Sequence, residues 1–285
     1  MIRLAVRVRR EDAELVLAEL LELAPSGVEE TEVGEGLVEY VVYGSPGELP
    51  QLPDLRAAAG EALVEIATSE LPDDWSERWK RFHRPVLIEG SIVPSLHVRP
   101  PWEASSDRVG IEEIVIDPGQ AFGTGAHATT RLCLELLLAL AADERRRGPL
   151  LDVGTGSGVL AIAAARLGFA PVIGLDHELE SVEAARENAE VNGVEMEVRS
   201  FDLRRERLPA VDGVGETTVL ANLLRPLLLD LSQSVESIPA NLIVGGLLVE
   251  EVDEVLGAFG TRLGLGVRER RTSGEWGAAW LQSGA

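Results

Sequence analysis

An α/β fold with a doubly wound, mostly parallel sheet is predicted for the larger part of the chain, beside a smaller α+β domain. Three observations carry this. From Ile114 onward, short apolar runs alternate with segments of helical spacing, the order that lays helices on both faces of a parallel sheet. One run ends in a glycine-rich turn, residues 152–158, before a small-residue helix. The last two runs, 267–271 and 276–281, predict an antiparallel hairpin at one sheet edge.

The elements follow in order. Ile2, Leu4, Val6 and Val8 alternate with Arg3 and Arg7, the period of a half-buried strand. Ala13, Val16, Leu17, Leu20 and Ala24 fall three or four apart and make one helical stripe over 11–23. Pro25-Ser26-Gly27 ends it. Strands at 28–33 and 36–43, a helix at 53–60 and a strand at 62–68 complete a β-α-β-β-α-β order. That order predicts a small ferredoxin-like domain over 1–70. Residues 71–105 read as a connector, in which Trp75, Trp79 and Phe82 share one helical face and form a packing pad. It includes strand-like pieces at 85–88 and 96–99. The remaining domain, 106–285, has strands at 149–153, 171–175, 195–200, 217–220 and 241–249. Its helices are expected at 132–142, 159–167, 179–192 and 251–259.

A length of 285 residues fits two domains at roughly 100–200 residues each. The apolar share of 45% and charged share of 26% are those of a globular protein rather than a disordered one. No uncharged apolar run approaches the roughly 18 residues of a membrane span. The N-terminal MIRLAVRVRRED alternates and then turns charged, unlike a signal peptide. Cys133 is the only cysteine, which excludes a disulfide framework or a Cys-based zinc site and fits a reducing cytoplasm. Four scattered histidines show no metal spacing. With 48 acidic against 26 basic side chains the net charge is −22, which repels phosphate backbones and attracts a basic partner. The same charge also keeps a protein soluble.

The glycine turn reads Asp152-Val153-Gly154-Thr155-Gly156-Ser157-Gly158. A dinucleotide fingerprint places its third glycine three residues after the second. Here Gly158 stands two after Gly156, which speaks against a nicotinamide oxidoreductase. The form resembles motif I of class I S-adenosylmethionine-dependent methyltransferases. Asp176 ends the next strand, 22 residues after Gly154, where a carboxylate can accept from both ribose hydroxyls. Asp202 follows the third strand, where that superfamily has a residue meeting the adenine amino group.

A longer block lies upstream: Asp117-Pro118-Gly119-Gln120-Ala121-Phe122-Gly123-Thr124-Gly125-Ala126-His127-Ala128-Thr129-Thr130. It resembles the D-P-G-x-A-F-G-T-G-x-H-x-T-T signature of the ribosomal protein L-eleven methyltransferases, the PrmA family. The tryptophan-rich connector and Ala221-Asn222-Leu223-Leu224 resemble that family's linker and A-N-I-L block. The resemblance implies a substrate-recognition domain, a linker and a class I catalytic domain that methylates lysine side chains and the N-terminal amine of one ribosomal protein. It implies a monomer that uses S-adenosyl-L-methionine. Carried onto this chain, the cofactor contacts are Thr130, Asp152, Gly154, Gly156, Asp176, Asp202 and Asn222, with Gly123 and Gly125 of the upstream loop. Phe122, Thr124 and Asn222 stand at the target amine. Two departures are Ala126 and Ala128 beside the loop histidine, and Arg225-Pro226 after the A-N-I-L core.

Asn222 is suited to accept an amine N–H and orient its lone pair. His127 reads as a loop-ordering hydrogen-bond partner rather than a general base. Cys133 reads as a core residue, and Trp276 and Trp280 as a core-packing pair on one strand face. Against the leading expectation stand a methyltransferase of the same fold acting on another amine, a small molecule or RNA, and a non-catalytic cofactor-binding protein.

Overall fold

The computed structural model describes the chain except residues 1, 14–15, 18–19, 21–28, 34–35, 45–48, 51, 71–83, 107, 119–124, 210–215 and 285. The chain divides into two compact units, Met1–Phe82 and His83–Ala285.

In the smaller unit, β1 (Ile2–Arg9), β2 (Glu29–Glu32), β3 (Leu37–Gly44) and β4 (Leu63–Glu70) form an antiparallel sheet in the order β2-β3-β1-β4. Helix α1 (Leu52–Ala59) stands between β3 and β4. The alternation in β1 does what its period requires: Leu4, Val6 and Val8 enter a core with Val16, Leu20, Tyr40 and Leu55. The opposite face carries ions, with Glu39 of β3 held by Arg3 and, at 2.7 Å, by Arg7 of β1. The strand order is compatible with the predicted β-α-β-β-α-β order; the helix predicted at 11–23 lies largely outside the described residues. The predicted aromatic face of Trp75, Trp79 and Phe82 lies outside the described residues.

The larger unit opens with a three-stranded sheet. Strand β5 (Val86–Ile88) runs antiparallel to β6 (Ser95–Arg99), and β6 runs parallel to β7 (Ile111–Val115). Ile88, Leu96, Val98, Ile114 and Ile116 sit in the same core cluster as the leucines of α2 (Ala128–Ala141). The two strand-like pieces placed with the connector therefore belong to this unit. Their buried alternate residues need a core to cover them.

Next come β8 (Leu150–Val153), α3 (Val159–Arg166), β9 (Val172–Asp176), α4 (Leu179–Asn192), β10 (Glu197–Ser200) and β11 (Thr218–Asn222). Helix α5 (Arg225–Ser234), β12 (Asn241–Leu248), α6 (Val252–Leu263), β13 (Leu265–Ser273) and β14 (Trp276–Ser283) complete it. The seven-stranded sheet has the order β10-β9-β8-β11-β12-β14-β13, with β14 antiparallel to both β12 and β13. Successive residues of β11 feed opposite layers. Leu220 packs with α2 and α3, while Val219 and Ala221 pack with α5 and α6. The doubly wound sheet and terminal hairpin match the expectation. Helix α5 does not appear in the sequence reading. Its leucines at 227, 228, 229 and 231 show no clean period, and Pro226 punctuates a chain unless it stands in a helix's first turn, as it does here. The strand order reverses between β8 and β11, and the crevice at the carboxyl ends of such strands is where open α/β sheets bind ligands.

Candidate active site

A cavity of about 900 Å³ lies at that crevice. Its wall includes Gly154 and Gly156 after β8, Asp176 at the end of β9, Asp202 after β10 and Asn222 at the end of β11. Sequence read these five as one site, and the fold brings them together.

The glycine turn is fixed from below. Gly154 and Thr155 both donate N–H to the Leu175 carbonyl, at 2.8 and 3.0 Å. Gly154 has φ +74°, and a side chain there would collide with Leu223. Any other residue would meet strain as well as overlap. Gly156 donates N–H to Asp176 Oδ2 at 2.8 Å, and Glu178 donates to Oδ1 at 3.1 Å. These two bonds fix the Asp176 carboxylate while leaving each oxygen a lone pair for hydroxyl donors. Asp202 accepts Arg204 N–H at 2.9 Å and faces the Arg205 guanidinium at 3.4 Å. The apolar part of the wall comes from Val153, Leu175, Phe201 and Leu203.

Three of the predicted residues stand behind the wall. Asp152 is fully buried, and Thr155 Oγ1 donates to its Oδ2 at 2.7 Å. Its Oδ1 has no partner among the described residues. Burial pushes this carboxyl up to about 7; the Thr155 bond opposes the rise and the charge of Asp176 adds to it. Thr130 is buried and takes a 3.4 Å bond from Asn222 Nδ2. Gly125 is buried against Val98. Phe122, Gly123 and Thr124 lie outside the described residues.

The Thr130 bond aims Asn222. With Nδ2 taken, Oδ1 is buried and has no partner among the described residues. The backbone there is set by Leu223 N–H, which donates to the Gly245 carbonyl at 3.2 Å. A bulge in β12 makes this approach possible. The register against β14 shifts between Val244 and Leu247, and Gly246 has φ +80° where a side chain would strike the Leu223 backbone.

His127 is the N-cap of α2, accepting Thr129 N–H at 3.4 Å and meeting Thr129 Oγ1 at 2.8 Å. This is the ordering bond the sequence reading favours over general-base work. Its ring meets Trp276 edge-on, with centroids 5.1 Å apart, and both line the cavity. Trp276 shares the face of Trp280 and, half-buried, packs against the same core cluster, as its alternation predicts; standing at the strand's first position, it also lines the cavity. Trp280 does behave as a core residue, 4% exposed, with its N–H on Asn241 Oδ1 at 3.2 Å. Arg225 turns to the start of α6, where it meets Glu254 at 2.7 Å and the N-cap residue Glu251 at 3.4 Å, and it is not among the wall residues. Leu223 and Leu224 of the A-N-I-L-like block add apolar wall, together with Leu227, which the sequence reading did not single out. Among the described residues, no group of His, Cys, Asp and Glu could hold a metal ion. Among the same residues, no helix is long and apolar enough to cross a membrane.

The wall thus joins the backbone of a glycine turn, a fixed carboxylate and an apolar slot. Those features suit the amino-acid end, ribose and adenine of S-adenosylmethionine. The family model described as "Ribosomal protein L11 methyltransferase (PrmA)" matches residues 53–283. The ribosomal protein L11 methyltransferase of Myxococcus xanthus is 36% identical over 286 residues, covering 96% of this chain and 95% of its own. That of Geobacter sulfurreducens is 40% identical over 227 residues, covering 79% of this chain and 72% of its own. The crystal structure of a ribosomal protein L11 methylase from Lactobacillus delbrueckii subsp. bulgaricus aligns with a TM-score of 0.59 and 28% identity, over 71% of this chain and all of that one. The chain belongs to the ribosomal protein L11 methyltransferase (PrmA) family of S-adenosylmethionine-dependent methyltransferases.

Proposed function

We propose that this chain methylates amino groups of ribosomal protein L11, its lysine side chains or its N-terminal amine. The observation that carries the reading is Asn222, a residue of the cavity wall beside the glycine turn and Asp176, whose buried side-chain oxygen has no partner among the described residues. In this reading Gly154 and Gly156 hold the amino-acid end of S-adenosylmethionine, Asp176 its ribose and Asp202 its adenine. Asp152 and Thr130 act from behind the wall, Asp152 by holding Thr155 and Thr130 by holding Asn222. Phe122, Gly123, Thr124 and Gly125 belong to the loop assigned to the cofactor, through Gly123 and Gly125, and to the target amine, through Phe122 and Thr124. When bound, the cofactor supplies a methyl group on a sulfonium, open to in-line attack.

The chain's own residues must then deliver a neutral amine. The apolar surface of Leu223, Leu224 and Trp276 disfavours an ammonium ion and lowers its pKa. The proton leaves to water, and Asn222 Oδ1 accepts a remaining N–H, which aims the nitrogen lone pair. Positioning of this kind supplies most of the rate in a displacement that needs no further acid or base. The net charge of −22 suits a basic protein substrate. The chain is proposed to work as a monomer in the cytoplasm, without a nucleic-acid contact.

The test separates binding from turnover. Asn222→Ala is expected to lower kcat by about 100-fold or more, in the range of a lost positioned polar group. The same variant should keep S-adenosylhomocysteine affinity within about tenfold by calorimetry, the effect of one neutral hydrogen bond. Equal kcat in variant and wild type would remove Asn222 from the reaction.

A further inference from the structure

Among the described residues, strand β7 has a strand neighbour on one side only, β6. Its continuation at Ile116 still bonds on that side, donating N–H to the Arg99 carbonyl at 2.9 Å. On the other edge, the N–H groups of Val115 and Asp117 need acceptors. Two asparagines of α4 provide them. Asn192 Oδ1 accepts Val115 N–H at 2.8 Å, and Asn188 Oδ1 accepts Asp117 N–H at 3.0 Å. Residues four apart on a helix lie about 6 Å apart along its axis. Alternate residues on a strand lie about 6.6 Å apart. The two asparagines therefore match the strand edge as a surrogate neighbour. They are 4% and 5% exposed, so each bond is made out of water's reach.

Their remaining hydrogen-bonding groups diverge. Asn192 Nδ2 returns to the same strand, donating to the Val115 carbonyl at 2.6 Å and to the Asn188 carbonyl at 2.7 Å. Asn188 Nδ2 instead donates to the Ser157 carbonyl at 2.9 Å. Ser157 is fully buried in the glycine turn, one residue after Gly156 on the cavity wall. One buried amide thus joins the cofactor turn to Asp117, the first residue of the D-P-G-x-A-F-G-T-G block. Among the described residues, the Asn192 side chain bonds the strand and its own helix and makes no bond to the turn.

We propose that Asn188 is a positioning residue that couples occupancy of the glycine turn to the order of the chain at Asp117. The inference rests on the cofactor reading above. A ligand that stiffens the turn fixes the Ser157 carbonyl, which fixes the Asn188 amide and with it the Asp117 N–H. Coupling of this sort requires one element that both ends bias, and here it is a single side chain with both its groups engaged.

The experiment is residue-resolved amide hydrogen exchange with and without S-adenosylhomocysteine, on wild type, Asn188→Ala, Asn188→Asp and Asn192→Ala. Asn188→Asp keeps the acceptor for Asp117 and loses the donor to Ser157, so it tests the link even if Asn188→Ala folds poorly. In wild type the ligand should slow exchange both in the glycine turn and at Asp117, by roughly fivefold or more for a typical coupling. In both Asn188 variants the turn should still slow while Asp117 does not. In Asn192→Ala Asp117 should still slow, although the protein melts earlier. Equal slowing of Asp117 in the Asn188 variants would overturn the coupling. So would a wild type in which only the turn responds. A wild type in which neither segment responds would remove the cofactor reading, and the coupling with it.

Discussion

Asp152 illustrates how a functional turn is held at a cost to the fold. Its carboxyl, ordinarily near 3.8, is pushed up to about 7, first by burial and then by the charge of Asp176. A raised carboxyl pKa favours the protonated form in the folded state. The stability it contributes is fully present below 3.8 and is lost as pH rises through about 7. Asp152→Asn removes the titration with the same shape. Thermal melts from acid to mildly alkaline pH should show the variant gaining on wild type as pH rises, with the difference levelling off above neutrality. A difference that does not change with pH would contradict the account. Gly154→Ala tests the neighbouring residue. The strain of φ +74° and the overlap with Leu223 should lower the melting point and weaken S-adenosylhomocysteine binding by about tenfold, for roughly 1–2 kcal/mol of strain. At this scale the sequence was most informative where residue type and spacing mirror ligand chemistry, as at Gly154, Asp176 and Asn222. It did not show that Trp276 also lines the cavity, because an alternating pattern states which face a residue shares but not where the core ends. It also did not distinguish residues on the wall from Asp152 and Thr130 behind it, since depth along the approach to a ligand leaves no local pattern.

The small sheet of β5, β6 and β7 shows how an element is fastened from outside its core. Glu113 of β7 meets His97 at 2.9 Å and Arg99 at 2.8 Å, both on β6, and accepts Ser106 N–H at 2.8 Å. Burial alone would raise its pKa; these three partners together hold it below the ordinary carboxylate value of 4.5. A lowered carboxyl pKa stabilises above that ordinary value, and the contribution is lost as pH falls through the lowered one. Glu113→Gln should therefore cost stability at neutral pH and progressively less in acid, measured by urea unfolding at several pH values. Strands β5 and β6 were legible as strand-like pieces but not in their allegiance, and β7 was not read as a strand at all. Only the leucines of α2, distant in sequence, reveal that they complete the larger unit's core. Helix α5 was missed for a related reason. The packing that selects Leu228 and Leu231 comes from α6 and the sheet, not from a period visible in the segment itself.

For the molecule as a whole, the doubly wound order was readable because each strand–helix pair carries its own pattern, and right-handed crossovers leave few topologies. The net charge of −22 acts at this scale too. Association with a basic substrate should slow steeply as salt rises, because long-range attraction is screened within about 8 Å at physiological ionic strength. Stopped-flow binding of ribosomal protein L11 across a salt series checks this, and a rate indifferent to salt would assign the acidic surface to solubility alone. The most direct measurement is intact-mass spectrometry of ribosomal protein L11 after incubation with this protein and S-adenosylmethionine, beside Asn222→Ala. The account predicts stepwise mass gains of one methylene each, absent with the variant. An unchanged L11 mass, from an enzyme that calorimetry shows to bind S-adenosylhomocysteine, would contradict the substrate assignment.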